Sequence, residues 1–273
     1  MDKNILVLGK SFIGERLQKA FDCRIDGSFI SSFSGAQRLI KKYRPKVIIN
    51  CIGSTGRNNV DDCELDIDGV LLANSFIPVI LAEIALRNDI KLVHISSGCI
   101  FNYDYKNDKP VKEDSQDYFF ELFYSRSKIY ADRALEALAG DYNILVTRIR
   151  IPLLNASHPK NLLNKLIKYK KVIDIPNSVT YIPDFIRALK HLIKIDARGV
   201  YNVANKGALR YPELMRVYQK YVPSFKYSLI DFRKLGLVRT NLVMSTAKLE
   251  KSGFKVRNIN SVLEECVKGY LKS

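Results

Sequence analysis

The sequence predicts an α/β protein built as a doubly wound parallel sheet with a smaller C-terminal lobe. Two observations lead to this fold class. Short apolar runs without polar alternation, such as residues 4–8 and 47–49, alternate with segments of helical spacing, which is typical of parallel strands covered on both faces. The first apolar run also ends at a glycine and leads into a helix, as in folds whose ligands bind beyond the carboxyl ends of the strands.

Each element follows from its local pattern. Strands are predicted at residues 4–8, 23–25, 47–49, 92–96 and 144–149. Helices are predicted at 13–21, at 70–86 and at 124–139, and a further helix is predicted to end at residue 43. Beyond Pro152 the pattern predicts helices at 162–169 and 184–194 and a strand at 199–205. We therefore expect one domain at residues 1–150 and a smaller lobe at 151–273, interleaved with the last sheet elements at about residues 183–205.

The composition is that of an ordinary folded chain in a reducing compartment. The chain has 44 Lys and Arg residues and 28 Asp and Glu residues, which gives a net charge of +16. Because the basic residues are spread along the chain, a solvated surface or attraction of a diphosphate is favoured over nucleic-acid binding. No apolar run approaches the roughly 20 residues of a membrane span, so we expect no membrane partner. The five cysteines include no CxxC pair, so we expect no disulfide framework, no metal site and a cytoplasmic location.

The first strand–helix junction is a candidate phosphate-binding loop. It consists of Gly9, Lys10, Ser11, Phe12, Ile13 and Gly14. Glycines at both ends let backbone N–H groups and the helix N-terminus approach a pyrophosphate closely. The loop has two glycines where a dinucleotide fingerprint has three, so by itself it is equally compatible with a plain turn. Lys10 is a candidate for a 2′-phosphate and Asp26 for ribose hydroxyls, which leaves the choice between NAD and NADP open.

A second group of residues predicts proton transfer to a carbonyl oxygen. Tyr124 and Lys128 are four residues apart on a predicted helix and share one face, and Ser97 ends the strand that precedes this helix. A lysine ammonium in this position stabilises the tyrosine phenolate, so a group with an ordinary pKa near 10 exchanges protons close to neutral pH. The serine hydroxyl binds the same substrate oxygen.

Longer segments resemble one family. Residues 50–64 resemble NAAGVTGRPNVDWCE, 97–103 resemble TGCIFEY, 148–152 resemble RVRMP, 175–180 resemble IPNSMT, and 199–205 resemble GIYNFTN, in the same order. The family is the extended short-chain dehydrogenase/reductases that act on nucleotide sugars, which have a Rossmann-type fold. Within it the chain is most similar to dTDP-4-dehydrorhamnose reductases and to bifunctional UDP-4-keto-6-deoxyglucose 3,5-epimerase/4-reductases, over nearly its whole length.

The resemblance implies roles for residues of a reacting centre. Ser97, Tyr124 and Lys128 correspond to the reductase triad, and Asn74 to an asparagine that supports the lysine through water. Cys99 corresponds to a cysteine that exchanges a sugar-ring proton, and residues 161–165 resemble NFITK, which supplies Lys165 as its partner. From the residues alone, Asn74 is equally compatible with a helix-surface amide, and a small buried hydrophobe is the favoured interpretation of Cys99.

The resemblance also implies a dinucleotide in the domain at 1–150 and a nucleotide sugar in the lobe at 151–273. The expected cofactor is NADP(H), with NAD as an alternative, held by the glycine loop, by Tyr124 and Lys128, and by Cys51, Ile52, Gly53 and Ile151. Substrate contacts are expected from Arg57, Asn59, Asn161, Asn177, Arg239 and Asn241. Arg239 suits the diphosphate because its fork matches phosphate oxygens. A homodimer is compatible with this interpretation.

Three functions remain open at this point. The leading hypothesis is an NAD(P)H-dependent 3,5-epimerase/4-reductase that converts a UDP- or dTDP-4-keto-6-deoxyhexose into a 6-deoxyhexose such as rhamnose. The alternatives are a 4-reductase without epimerase activity and a non-catalytic member that binds nucleotide or RNA. The intact set of Ser97, Tyr124 and Lys128 argues against the last, because a pure binding protein does not need all three. The missing middle glycine of the loop and the stretch 209–212 depart from the family pattern and leave the base and the sugar open.

Overall fold

The computed structural model describes residues 1–103 and 109–273. The chain forms two compact units, of which the first comprises residues 1–100, 118–148 and 193–201, and the second residues 101–117, 149–192 and 202–273. Unlike the predicted division at residue 150, the segment 101–117 groups with the second unit. The reason is that the Val111 N–H donates to the Val243 carbonyl at 2.8 Å, and the Asn202 amide donates to the Val111 carbonyl at 3.1 Å.

The first unit is built on a six-stranded sheet. Its strands are β1 (Asp2–Leu8), β2 (Cys23–Asp26), β3 (Val47–Asn50), β4 (Lys91–Ser97), β5 (Ile144–Ile149) and β9 (Gly199–Asn202). Their order is β2-β1-β3-β4-β5-β9, and the pairs β1–β2, β1–β3 and β3–β4 are parallel. The predicted fold class is confirmed. Because the strand order reverses at β1, the carboxyl ends of β1 and β3 form the switch point where such sheets bind ligands.

Helices of the first unit connect these strands. They are α1 (Gly14–Phe21), α2 (Phe33–Tyr43), α3 (Ile67–Leu71), α4 (Ile77–Arg87) and α5 (Phe123–Ala139). The single helix predicted at residues 70–86 is interrupted, since Leu72–Phe76 forms a π turn between α3 and α4. Asn74 and Ser75 are buried in this turn, and π turns are frequent at functional sites.

The core of the first unit accounts for the most apolar part of the chain. Leu6 and Leu92 from the sheet pack with Leu81 and Ile84 from α4, all of them fully buried. Residues Ile67–Arg87 are long and apolar enough to cross a membrane by length and composition, and half of their most apolar window is buried in the fold. Packing in this core explains their apolar character.

The second unit combines helices with two small sheets. Strand β6 (Pro152–Leu153) pairs with β8 (Thr180–Tyr181), and β7 (Lys171–Val172) pairs with β10 (Ser228–Leu229). The helices are α6 (Leu162–Tyr169), α7 (Ile182–Lys194), α8 (Tyr211–Tyr221), α9 (Ala247–Lys251) and α10 (Leu263–Leu271). Leu163, Tyr181, Leu214 and Val262 belong to their shared core. The strand predicted at 199–205 is shorter, because β9 ends at Asn202.

Candidate active site

A closed turn joins β1 to α1. Gly9 has a φ of +98°, a conformation that glycine adopts without strain. A Cβ on Gly9 would lie 3.0 Å from the carbonyl carbon of Cys51 and 3.0 Å from the nitrogen of Ile52. A Cβ on Gly14 would lie 2.1 Å from the Gly9 carbonyl oxygen. Both glycines are therefore needed for this turn to approach the end of β3 so closely.

Hydrogen bonds fix the turn at the switch point. Ser11 Oγ accepts from the Gly14 N–H at 3.2 Å and donates to the Cys51 carbonyl at 3.3 Å. Ile13 is the N-cap of α1, and the Phe12 ring lies 4.4 Å from the guanidinium carbon of Arg16. The positive end of the α1 dipole thus lies at the turn, which suits a phosphate group.

Asp26 and Lys10, the groups predicted for the ribose region, both lie at the end of β2. The Asp26 carboxylate accepts from the Ser28 N–H at 2.7 Å and from the Tyr43 hydroxyl at 2.8 Å. Burial raises the pKa of Asp26, but the hydrogen bonds from Ser28 and Tyr43 together bring this pKa below its usual value. Lys10 packs its stem against Gly27, where an added Cβ would lie 2.9 Å from its Cδ.

The predicted triad lies in one part of the first unit. Tyr124 and Lys128 are buried one turn apart on α5, and Ser97 is the last residue of β4. Ser97 Oγ accepts from the Cys99 N–H at 3.1 Å. Cys99 in turn packs against the apolar cluster that contains Tyr124 and Cys63. The predicted catalytic serine, cysteine and tyrosine are therefore linked by direct packing and hydrogen bonding.

Lys128 places its ammonium against Gly53. A Cβ on Gly53 would lie 3.0 Å from Nζ of Lys128 and 3.1 Å from Oδ1 of Asn74. Burial lowers the pKa of Lys128 from 10.5 to about 8, and the Asp132 carboxylate opposes this decrease. A lysine with this pKa changes charge close to neutral pH, which suits a group that assists a tyrosine in proton exchange.

Asn74 is fixed by three hydrogen bonds. Its Oδ1 accepts from the Ser54 N–H at 2.8 Å, and its Nδ2 donates to the Ser54 carbonyl and to Ser127 Oγ, both at 3.0 Å. Asn74 is fully buried, so the alternative of a helix-surface amide is wrong. Ser127 Oγ donates to the Tyr124 carbonyl at 2.8 Å. Asn74 therefore ties the loop after β3 to the helix that carries Tyr124 and Lys128.

Several residues that sequence reasoning missed hold this centre together. Glu64 Oε1 accepts from the N–H of Phe123, the first residue of α5, at 2.7 Å. Asp132 accepts from Ser96 Oγ at 2.6 Å and from Arg148 Nε at 2.8 Å, and the Asp132–Arg148 pair is fully buried. The likeness of residues 50–64 to the family was a signal for Glu64. No local pattern pairs Asp132 with Arg148.

A buried histidine lies beside this centre. Asn50 Oδ1 accepts from the Ile52 N–H at 3.0 Å, which turns its amide nitrogen toward His94 Nδ1 at 3.1 Å. Nδ1 therefore accepts, and the ring proton is on Nε2, which is buried and has no hydrogen-bond partner within residues 1–103 and 109–273. Burial and the charge of Lys128 hold the pKa of His94 well below 6.5, so the ring is neutral.

Three cationic residues lie near one another in the second unit. Burial lowers the pKa of Lys165, and the charges of Lys160 and Arg239 lower it further. Lys165 therefore loses its proton to give a neutral amine more readily than a solvated lysine does, whereas an arginine keeps its charge. The arrangement suits proton transfer beside an anionic group such as a diphosphate.

The predicted substrate asparagines are buried in internal networks. Asn177 Oδ1 accepts from Arg150 Nε at 3.2 Å, and its amide donates to Asn241 Oδ1 at 2.9 Å. Asn161 Oδ1 accepts from the Leu154 N–H at 3.0 Å, and its amide donates to two backbone carbonyls. Asn161 is fully buried and its amide is used in this way, so it fixes the loop before α6, and its expected contact with substrate stays a prediction.

The remaining predicted contacts differ in exposure and strain. Arg57 and Asn59 are exposed, and Asn59 caps the 3-10 turn Val60–Leu65 by accepting from the Asp61 N–H at 2.7 Å. Ile151 has a φ of +25°, a strained conformation for a β-branched residue. Such strain is concentrated at functional sites, and the expected contact of Ile151 with a cofactor stays a prediction.

Comparison with known proteins gives a family match. The family described as RmlD substrate binding domain matches residues 24–216. The chain is 31% identical over 222 residues to a trifunctional UDP-glucose 4,6-dehydratase/UDP-4-keto-6-deoxy-D-glucose 3,5-epimerase/UDP-4-keto-L-rhamnose-reductase of Arabidopsis thaliana. This alignment covers 78% of the chain and 33% of the relative, so the chain spans about a third of the length of that protein.

A second relative and a solved structure match over most of their length. The chain is 30% identical over 269 residues to a bifunctional dTDP-4-dehydrorhamnose 3,5-epimerase/dTDP-4-dehydrorhamnose reductase of Arabidopsis thaliana, with 90% of the chain and 86% of the relative covered. A dTDP-4-dehydrorhamnose reductase from Bacillus anthracis, solved in complex with NADP, superposes with a TM-score of 0.84 at 19% identity, covering 100% of this chain and 99% of that one. This likeness agrees with the fold class predicted from the sequence.

Proposed function

Since the chain belongs to the RmlD substrate-binding domain family, which confirms the resemblance found in the sequence, we propose that it is an NADPH-dependent nucleotide-sugar 4-reductase of 6-deoxyhexose synthesis. The relatives described above are named as reductases of UDP-4-keto-L-rhamnose and of dTDP-4-dehydrorhamnose. The observation that carries the proposal is the position of the Lys128 ammonium against Gly53 and Asn74, one helical turn from Tyr124.

The turn at residues 9–14 fits a dinucleotide. Its two glycines keep Cβ atoms out of the turn, and the positive end of the α1 dipole favours a pyrophosphate. Lys10 would hold the 2′-phosphate of NADPH, and Lys128 the nicotinamide ribose. When bound, the cofactor supplies a hydride to C4 of the sugar. In this proposal the first unit binds the dinucleotide and the second unit binds the substrate.

Tyr124 is the proton donor to the C4 oxygen. Ser97 Oγ hydrogen-bonds to that oxygen. The Lys128 ammonium stabilises the phenolate that forms when Tyr124 donates its proton. Because the pKa of Lys128 is about 8, the lysine supports return of the proton to the tyrosine near neutral pH. Asn74 keeps the loop that contains Gly53 at a fixed distance from α5.

We extend the proposal to 3,5-epimerisation before reduction. Hydrogens on the carbons beside a C4 ketone are acidic enough for a side-chain base to remove them. Cys99, packed against the cluster with Tyr124, and Lys165, whose pKa is lowered by burial, would remove and return these protons. The remaining proposed contacts of the nucleotide sugar are Arg57, Asn59, Asn161, Asn177, Arg239 and Asn241.

The reductase proposal is tested with a UDP- or dTDP-linked 4-keto-6-deoxyhexose and NADPH in heavy water. We expect oxidation of NADPH and deuterium at C3 and C5 of the product, read by NMR. Tyr124→Phe should lower reduction at least about 100-fold while cofactor binding stays nearly intact. Reduction without deuterium at either carbon would leave a 4-reductase alone. Failure to bind NADPH would overturn the reductase assignment in favour of nucleotide or RNA binding.

Two further variants test the epimerase groups. Cys99→Ser should largely abolish deuterium exchange yet keep reduction of a substrate that already has the final ring configuration. Lys165→Ala should impair exchange at one or both carbons in the same way. Exchange at the wild-type rate in both variants would mean that Cys99 and Lys165 have packing roles only.

A further inference from the structure

Two serine hydroxyls hold the main chain of Cys99. The Cys99 N–H donates to Ser97 Oγ at 3.1 Å, and the Cys99 carbonyl accepts from Ser125 Oγ at 2.7 Å. Ser125 is completely buried and Cys99 is half-buried, so the second bond is partly shielded from water. The main chain on both sides of the Cys99 side chain is thus fixed, and this limits where its Sγ can lie.

Ser125 directly follows Tyr124 on α5. Its hydroxyl lies in the first turn of the helix, yet it bonds to the loop after β4 rather than capping its own helix. Because a helix backbone is rigid on this scale, the bond sets the distance between Cys99 and Tyr124. It therefore joins the two residues to which we assign proton transfer at different carbons of the sugar.

Ser127 holds a different part of the centre. Its Oγ accepts from Asn74 at 3.0 Å and donates to the Tyr124 carbonyl at 2.8 Å. The two serines of the run Tyr-Ser-Arg-Ser-Lys thus have different partners. Ser125 bonds to the cysteine, and Ser127 bonds to the asparagine beside Lys128.

We propose that Ser125 is a positioning residue for proton transfer at Cys99, and so for epimerisation, whereas Ser127 supports reduction. This inference rests on the proposed epimerase function. Proton transfer needs a heavy-atom distance of about 2.6–3.2 Å, and a displacement of about 1 Å lowers a rate by up to about 100-fold. Without the Ser125 hydroxyl, the Cys99 carbonyl loses this bond and the turn after Ser97 gains freedom, while Asn74 and Ser127 still hold the reductase side chains.

The test compares two rates in each protein. The first is deuterium exchange into the carbons beside the ketone, and the second is reduction by NADPH of a substrate already in the final ring configuration. Ser125→Ala should lower exchange about 10- to 100-fold and change reduction far less. Ser125→Thr, which keeps the hydroxyl, should restore exchange. Ser127→Ala should affect reduction more than exchange.

Ser252→Ala is the matched control for the loss of a hydroxyl that bonds to the main chain. Ser252 Oγ also donates to a main-chain carbonyl, that of Leu249, at 2.7 Å, and it lies outside the proposed site, so its removal should leave the ratio of exchange to reduction unchanged. If Ser125→Ala does not fold, Ser125→Cys keeps the volume with a weaker donor and should lower the same ratio. A wild-type ratio in a folded Ser125 variant that lacks the hydroxyl overturns this inference and leaves the epimerase proposal intact. Reduction without exchange in the wild type overturns both.

Discussion

Gly53 presents its bare Cα to the ammonium of Lys128: a Cβ at this position would lie 3.0 Å from Nζ. The same Cβ would lie 3.1 Å from Oδ1 of Asn74. The loop after β3 therefore favours a glycine here, because a Cβ would make tighter contacts with both side chains than a Cβ usually makes. One methyl group at this position would require the lysine or the asparagine side chain to move by a few tenths of an ångström.

Gly53→Ala should weaken both turnover and cofactor affinity, because Lys128 must shift away from the position that both require. A displacement of about 1 Å lowers a rate by up to about 100-fold, so a shift of a few tenths of an ångström should lower kcat by about 10-fold or less. Steady-state kinetics and fluorescence titration with NADPH measure the two effects. Gly140→Ala is the control, since a Cβ there meets nothing within 4 Å. Equal behaviour of the two variants would contradict the contact.

The buried Lys128 predicts how stability changes with pH. Its pKa is about 8 in the folded chain against 10.5 for a solvated lysine, because burial disfavours the charged form. Between these values the unfolded chain binds more protons, so this group makes the folded chain more stable as the pH rises from about 8 to 10.5, and adds no pH dependence below about 8. The whole change corresponds to about 3 kcal/mol.

Lys128→Met should remove this dependence. The free energy of unfolding is measured with urea at a series of pH values on the protein without cofactor. The stability of the variant relative to the wild type should be greatest below about pH 8 and should decrease toward pH 10.5, since only the wild type has a charge to bury. A difference that stays constant over this range would mean that Lys128 titrates like a solvated lysine.

Most of the sheet could be predicted because buried parallel strands are visible as apolar runs. Strands β3, β4 and β5 begin and end within about one residue of the prediction, as expected for central strands with two covered faces. The π turn Leu72–Phe76 could not be predicted. In this turn Asn74 and Ser75 both donate hydrogen bonds to Ser127, which is more than 50 residues further along the chain, and no local sequence pattern encodes such contacts.

The proposed reacting groups of the site could be predicted from the sequence, whereas the residues that support them could not. Tyr124 and Lys128 stand out because their spacing places both on one helix face. The Asp132–Arg148 pair joins a helix to a strand, and no local pattern encodes such a tertiary pair. The family resemblance predicted a substrate contact for Asn161, but it could not reveal that the Asn161 amide makes internal hydrogen bonds.

Breaking the Asp132–Arg148 pair should strongly destabilise the first unit. Both side chains are fully buried, and Arg148→Met would leave the Asp132 carboxylate with the hydroxyl of Ser96 but without the guanidinium that contacts it. Loss of one partner of a buried pair costs about 3–5 kcal/mol, whereas replacing both partners by apolar residues is often close to neutral. Urea unfolding should therefore show a large loss for Arg148→Met and substantial recovery for the double variant with Asp132→Leu. A single variant within about 1 kcal/mol of the wild type would mean that the pair is not shielded from water.

Glu64 should matter for the placement of Tyr124 even though it lies on a separate segment. Helix α5 has no side-chain cap from its own N-cap residue, Leu122, and Glu64 supplies the acceptor for the N–H of Phe123 instead. Glu64→Ala should lower the free energy of unfolding by about 1 kcal/mol, as loss of a helix cap does, and should reduce kcat for reduction more than the affinity for NADPH. Glu64→Gln keeps an acceptor oxygen and should recover most of both effects. Glu83→Ala removes a partly exposed carboxylate that pairs with Arg87 on α4, so it should change stability by less than about 1 kcal/mol and leave kcat unchanged. If Glu64→Ala behaves like this control in both measurements, the carboxylate does not order the first turn of α5, and Tyr124 is positioned by the cluster around Cys63 instead.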